Sequence, residues 1–244
     1  MIFDFVRKVV LLAGGILVVL PGAVLCCVSF RTSWPIRVPH DVWSALWRSI
    51  VLAIVVAGIS SVIGFLVASS YVRRKPSRAE WLLIALALIT PELPIAVSLH
   101  SAFAALHWDI PDILAVSLGQ IGFPSALTIL FVYLRLDASK ADALIGVART
   151  LGAKSAAILV LLLRLSWPAV TVGFLNAAAF SLQDVAYPWF LASANFAVLP
   201  TLVFSRARFG LQPWMIWYGA LAAFCGALVA IIVFSPEVQL EQES

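Results

Sequence analysis

Apolar residues run along the chain in six long blocks, separated by shorter stretches where cations and prolines collect. A helix needs about 20 apolar residues to cross a hydrocarbon core roughly 30 Å thick. The blocks predict six spans: Val9–Phe30, Ile50–Tyr71, Trp81–Leu106, Ile113–Leu134, Leu165–Leu191 and Trp214–Phe234. Arg7 and Lys8 precede the first block, as in a secretory signal. That block is too long for a signal core and no small-residue cleavage pattern follows it, so it reads as a retained helix.

Composition agrees with the pattern. Of 244 residues 63% are hydrophobic and only 11% charged, and a soluble exterior of this size requires far more charge. The expected class is an all-α polytopic membrane protein. With both termini cytoplasmic, the inner side carries eleven of the sixteen cations: Arg7, Lys8, Arg73, Arg74, Lys75, Arg78, Arg135, Lys140, Arg149, Lys154 and Arg164. The outer side carries Arg31, Arg37, Arg48, Arg206 and Arg208. This bias orients insertion. It also accounts for the net charge of +4 without nucleic acid, which needs a basic face on a soluble surface.

Little enzyme chemistry is written in the chain. Cys26, Cys27 and Cys225 all fall within spans and lack metal-ligand spacing, and His40, His100 and His107 are scattered. There is no Gly-Lys dipeptide, hence no phosphate-cradling loop and no expected nucleotide hydrolysis by this chain. An intramembrane serine protease needs Gly-x-Ser-Gly with an oriented histidine. The nearest candidate, Gly58–Ser61, lacks the final glycine, and an aspartyl Gly-x-Gly-Asp motif is missing too. A stand-alone secondary transporter is a rival reading, but it favours an internal repeat with paired broken helices, which the chain does not display.

Between the fourth and fifth blocks lies VARTLGAKSAAILVLLLRLSWPAV, residues 147–170, with cations and no acid before Pro168. One straight helix from Lys154 to Leu191 would be about 57 Å long, nearly twice the hydrocarbon thickness. The spacing predicts a short helix around Asp142–Arg149, a turn at Gly152, a second short helix near the cytoplasmic surface, and a break at Arg164 and Pro168. From the residues alone this is either an interfacial amphipathic helix or a partner-binding elbow.

The stretch GVARTLGAKSAAILVLLLRLSWPAV resembles the cytoplasmic EAA loop of binding-protein-dependent ABC importer permeases. Placing Gly152 on the family glycine sets Gly146, Val147 and Ala148 at the Glu-Ala-Ala positions, followed by Arg149, Leu151, Gly152, Ala153 and Lys154. The family glutamate is missing, Arg164 and Leu165 stand at the Leu-Pro positions, and the segment up to Pro168 is one residue short. RSIVLAIVVAGISSVIGFLVASSYVRRK, LITPELPIAVSL, FSLQDVAYPWFLAS and VLPTLVFSRARFGLQP are similar to further family segments in the same order. The likeness is greatest to the second permease subunit of the spermidine/putrescine subgroup.

The resemblance implies a type I importer fold with a cytoplasmic coupling helix. Residues 1–40 would form an N-terminal helix and first periplasmic segment, 41–234 the transmembrane domain with its EAA-like loop at about 137–168, and 235–244 an acidic cytoplasmic tail. It further implies a bacterial inner-membrane location and a second, non-identical permease subunit surrounded by lipid. Two ATP-binding subunits would dock on residues 146–149 and 151–154, and a periplasmic solute-binding protein would reach Arg206 and Arg208. The chain itself would hold no cofactor, ATP and magnesium residing on the ATPase subunits. A polyamine is the expected solute; ferric iron, thiamine or phosphonate importers share these motifs.

Two acids fall inside the spans. Glu92 lies about 16 Å past Trp81, and Asp184 about 24 Å past Pro168. A central carboxylate costs about 3 kcal/mol on insertion scales, so each must face protein, water or a partner group. They are expected either to line a polar pathway or to cap backbone groups where helices break beside Pro91, Pro94 and Pro188. Gln120 and Asn176 are expected to line the same pathway or to bridge helices. Trp189 and Phe190 are expected at the outer membrane interface or gate.

Overall fold

His40–Tyr71 forms one unbroken helix, α1, of 32 residues or about 48 Å. It extends the expected second span by ten residues at its start. This computed structural model describes residues 38–210 together with 212, 214, 215, 218 and 219. The expected first span, most of the last, the three cysteines and the tail lie outside the described residues.

After α1 the chain turns through Arg73–Pro76 and starts α2, Arg78–Ile89, with a reciprocal cap. The Glu80 amide donates to Ser77 Oγ at 3.3 Å, and the Ser77 amide donates to Glu80 Oε2 at 2.7 Å. α2 stops at Thr90 because Pro91 disfavours helical angles in the residue before it; Thr90 is extended, with φ −67° and ψ 126°. α3, Glu92–Ala105, then leaves at 99° to α2. Pro94 is tolerated there because first-turn amides have no helical acceptor. The single span expected at Trp81–Leu106 is therefore two sharply angled helices.

α4, Asp112–Gln120, and α5, Gly122–Ala138, meet at a 45° bend where Pro124 removes a first-turn donor. Lys140, in a left-handed conformation, turns the chain into α6, Ala141–Thr150. α7 runs uninterrupted from Ser155 to Gln183. Short helices α8, Ala186–Leu191, and α9, Leu199–Ala207, follow. No strand occurs among the described residues. α1 and α7 are each long and apolar enough to cross a membrane, and the two bent pairs add one span each if counted as broken spans.

α7 corrects an expectation. Pro168 lies inside it without breaking it, and residues 155–163 continue the helix rather than forming a separate surface segment. Pro168 removes only the donor to the Arg164 carbonyl. Arg135 Nε on α5 donates to the adjacent Leu165 carbonyl at 3.4 Å. Ile129, Val132 and Leu136 of α5 share one buried cluster with Ile158 and Leu162 of α7. Tertiary packing thus keeps continuous a helix that local rules would divide.

The chain separates into two compact units, Ser44–Leu202 and a second unit formed by the segments before and after it. Within Ser44–Leu202 the core has two parts. One joins Phe65, Tyr71, Ile84, Val132, Ile145 and Ile158; the other joins Leu52, Val56, Ala96, Val116, Phe180 and Tyr187. α1, α5 and α7 connect these ends, and α6 belongs to the first, α8 to the second. Between them Thr128 is wedged against two glycines. A Cβ on Gly64 would lie 2.5 Å from Thr128 Cβ, and one on Gly173 2.6 Å from Thr128 Oγ1. Small residues let three helices approach where apolar solvent supplies no hydrophobic drive. In the second unit Arg206 pairs with Asp41 and lies over the Trp214 ring, while Arg208 lies over Phe204.

Candidate functional site

The acids and the short helix occupy opposite ends of the Ser44–Leu202 unit. At the α8 end, Asp184 is the C-cap of α7, at the break between α7 and α8. It is 4% exposed and fully engaged. Gln120 Nε2, at the end of α4, donates to Asp184 Oδ2 at 2.6 Å. The Ala186 amide donates to Oδ1 at 2.8 Å. Ser181 Oγ on the preceding turn donates to Gln120 Oε1 at 2.8 Å. Asp184 thereby caps the start of α8 while tying α7 to α4.

Glu92 begins α3 and is half-buried, with its carboxyl within hydrogen-bonding reach of Asp184. Tyr187, three residues after Asp184, is buried in the same cluster as Phe180 and Val116. Gly119 lets the Tyr187 ring pack against α4, because a Cβ there would fall 2.4 Å from that ring. Three of the expected pathway residues, Glu92, Gln120 and Asp184, are therefore brought together from three helices. Asn176 is not: it is exposed on α7, two turns or about 12 Å before Asp184. Trp189 is on α8 and 45% exposed. Ser181, Tyr187 and Gly119 were not legible as members of this cluster, since nothing local distinguishes them.

The loop after α8 is pinned by bonds that likewise join distant positions. Asp112 accepts from the Ser193 amide at 2.8 Å and from Ser193 Oγ at 2.6 Å. Arg48 donates to the Asn195 carbonyl at 2.8 Å and lies over Phe196. Arg206 and Arg208, expected to meet a binding protein, already face Asp41, Trp214 and Phe204 within the chain.

At the other end stands α6. Ala141 and Ile145, one turn apart, are buried in the cluster with Ile158 and Leu162 of α7. The opposite side leaves Val147 58% and Leu151 82% exposed. Gly146 and Arg149 are exposed as well, and Ala148 and Ala153 are partly covered. The helix closes in a reciprocal turn: the Gly152 amide donates to the Arg149 carbonyl at 2.9 Å, and the Ala153 amide to the Ala148 carbonyl at 2.9 Å. Gly152 takes φ +78°, which such a turn requires and which favours glycine. Lys154 then caps α7. The expected helix and turn at Gly152 are both present, and the turn carries bulky, exposed Leu151. No group of three metal-ligating side chains occurs among the described residues.

Helices long and apolar enough to cross a membrane thus carry an exposed elbow at one end and a buried polar junction at the other. No family model matches the chain. It is 28% identical over 255 residues to the putrescine transport system permease protein PotI of Escherichia coli, covering 93% of this chain and 88% of that one. It is 26% identical over 192 residues to the spermidine/putrescine transport system permease protein PotC of Haemophilus influenzae, covering 77% and 73%. With PotC of Escherichia coli it shares 25% over 216 residues, covering 86% and 79%. The chain is thus similar, at modest identity over most of its length, to permease subunits of spermidine and putrescine transport systems.

Proposed function

We propose that the chain is one permease subunit of an ATP-driven polyamine importer in the bacterial inner membrane. It has six spans, both termini are cytoplasmic, and its partner is a related, non-identical permease. Two ATPase subunits, which hold the ATP and magnesium, seat α6 in a surface groove, and a periplasmic binding protein delivers solute to the opposite end. The observation that carries this reading is α6: anchored by Ala141 and Ile145, it presents Val147 and Leu151 outward. An exposed leucine beside Arg149 and Lys154 suits a protein groove with an acidic rim. The same end holds Arg73, Arg74, Lys75, Arg78, Arg135 and Lys140, as expected of a cytoplasmic face.

The mechanism follows from α7. Its first turns are packed against α6, and its last residue leads into Asp184 about 43 Å away. Closure of the ATPase pair pushes α6, and a continuous helix passes that displacement to the acid junction. There Asp184 is a fixed hub, already bonded by Gln120 and the Ala186 amide. Glu92 is the acid with freedom to exchange its neighbour for a passing ammonium group. The permease supplies pathway and lever and performs no bond chemistry. The test is ATP-dependent uptake of labelled spermidine by the reconstituted complex. Leu151→Asp should abolish uptake and ATPase co-purification while insertion stays normal; undiminished uptake would refute the docking role.

A further inference from the structure

A cleft of about 390 Å³ opens at the C-terminal end of α3, lined by His100, Phe103, His107, Trp108, Asp109 and Leu191 among others. Its floor is set by the way α3 ends. The His107 amide donates to the Ala104 carbonyl at 3.2 Å and the Trp108 amide to the Phe103 carbonyl at 3.1 Å. That is the same reciprocal closure found at Gly152, but here the left-handed position is filled by His107, with φ +50°. A left-handed side chain costs roughly 1–2 kcal/mol, which glycine avoids. Strain held at one residue points to a use for its side chain. His107 is among the residues that line the cleft.

The turn also folds Trp108 back beside Phe103, ring centroids 6.4 Å apart at 30°. The lining thus offers two aromatic rings, one carboxylate and two imidazoles, with no Lys or Arg. Aromatic faces and a carboxylate attract an organic ammonium, and the cleft has room for its methylene chain. The approach to the acids is also marked. Phe103 comes eleven residues after Glu92, on the same face of α3 and about 16 Å along it.

Resting on the importer reading above, we infer that this cleft is a first capture site for an alkyl polyammonium solute, from which it passes along α3 to Glu92. Asp109 and His107 accept hydrogen bonds from one ammonium group, and Trp108 and Phe103 cover the adjacent methylenes.

The test is equilibrium binding of radiolabelled spermidine to the assembled membrane complex with no solute-binding protein added, comparing wild type with Asp109→Asn, Trp108→Ala and His107→Gly. Each variant should weaken saturable binding roughly fivefold to tenfold. His107→Gly is the informative control, because it relieves strain and so cannot act by unfolding the turn. Unchanged binding in all three, or no saturable binding by wild type, overturns the capture site. ATP-driven spermidine uptake measured alongside separates the two readings. Uptake that persists without cleft binding removes only this inference, whereas no amine uptake removes the polyamine assignment too.

Discussion

Gln120 donates to Asp184 at 2.6 Å from 64 positions away, joining the end of α4 to the end of α7 in a site where both are nearly solvent-free. Removing the donor leaves a buried carboxylate oxygen unsatisfied, at a cost of about 1–3 kcal/mol. Gln120→Leu should therefore lower the melting temperature of the purified complex. Ser181→Ala, which removes only a donor to Gln120, should lower it less.

Asp184 and Glu92 should separate by phenotype. Asp184→Asn replaces one acceptor oxygen with a donor that faces either Gln120 or the Ala186 amide, so it should reduce assembly and stability. Glu92→Gln keeps size and hydrogen bonding, and Glu92 is only half-buried. It should leave the complex intact and cut spermidine uptake by tenfold or more, on the order of 1.4 kcal/mol. Equal, mild effects from both would contradict the hub-and-exchange assignment.

The Thr128 wedge makes an unusually selective prediction. Gly173→Ala should destabilise by about 1–3 kcal/mol through contact with Thr128 Oγ1 and Cγ2, and Thr128→Ala should largely rescue it. Gly64→Ala should not be rescued the same way, since its 2.5 Å clash includes the Thr128 Cβ that alanine retains. Thermal unfolding of the single and double variants decides it.

Gly146 and Gly152 both have open space where a side-chain methyl would stand, yet they should respond oppositely to alanine. Gly146 is mid-helix, so alanine should stabilise α6 by roughly 0.5–1 kcal/mol. Gly152 is left-handed, so alanine should cost roughly 1–2 kcal/mol. Trypsin sensitivity at Arg149 and Lys154 reports both.

Much of the fold is legible in the chain. Apolar run lengths locate most of α1 and the second half of α7, and Gly152 with its flanking cations locates the elbow. Pro91 and Pro94 announce a break in the third span, but a local signal carries no angle, so the 99° turn is not legible. Pro168 misleads for the opposite reason: its lost hydrogen bond to Arg164 is outweighed by packing against α5, about thirty positions away. The polar junction is half legible. Glu92, Gln120 and Asp184 stand out as polar groups in apolar blocks, whereas Tyr187, Ser181 and Gly119 matter only through contacts made after folding.

The most direct measurement is a cross-link from the elbow to its motor. Cys26, Cys27 and Cys225 are first replaced by serine, then one cysteine is placed at Leu151 and single cysteines around the ATPase groove. The account predicts a specific disulfide that forms in the assembled complex and blocks ATP-driven spermidine uptake until reduced. Failure of every groove position to cross-link in an intact, transporting complex would contradict it.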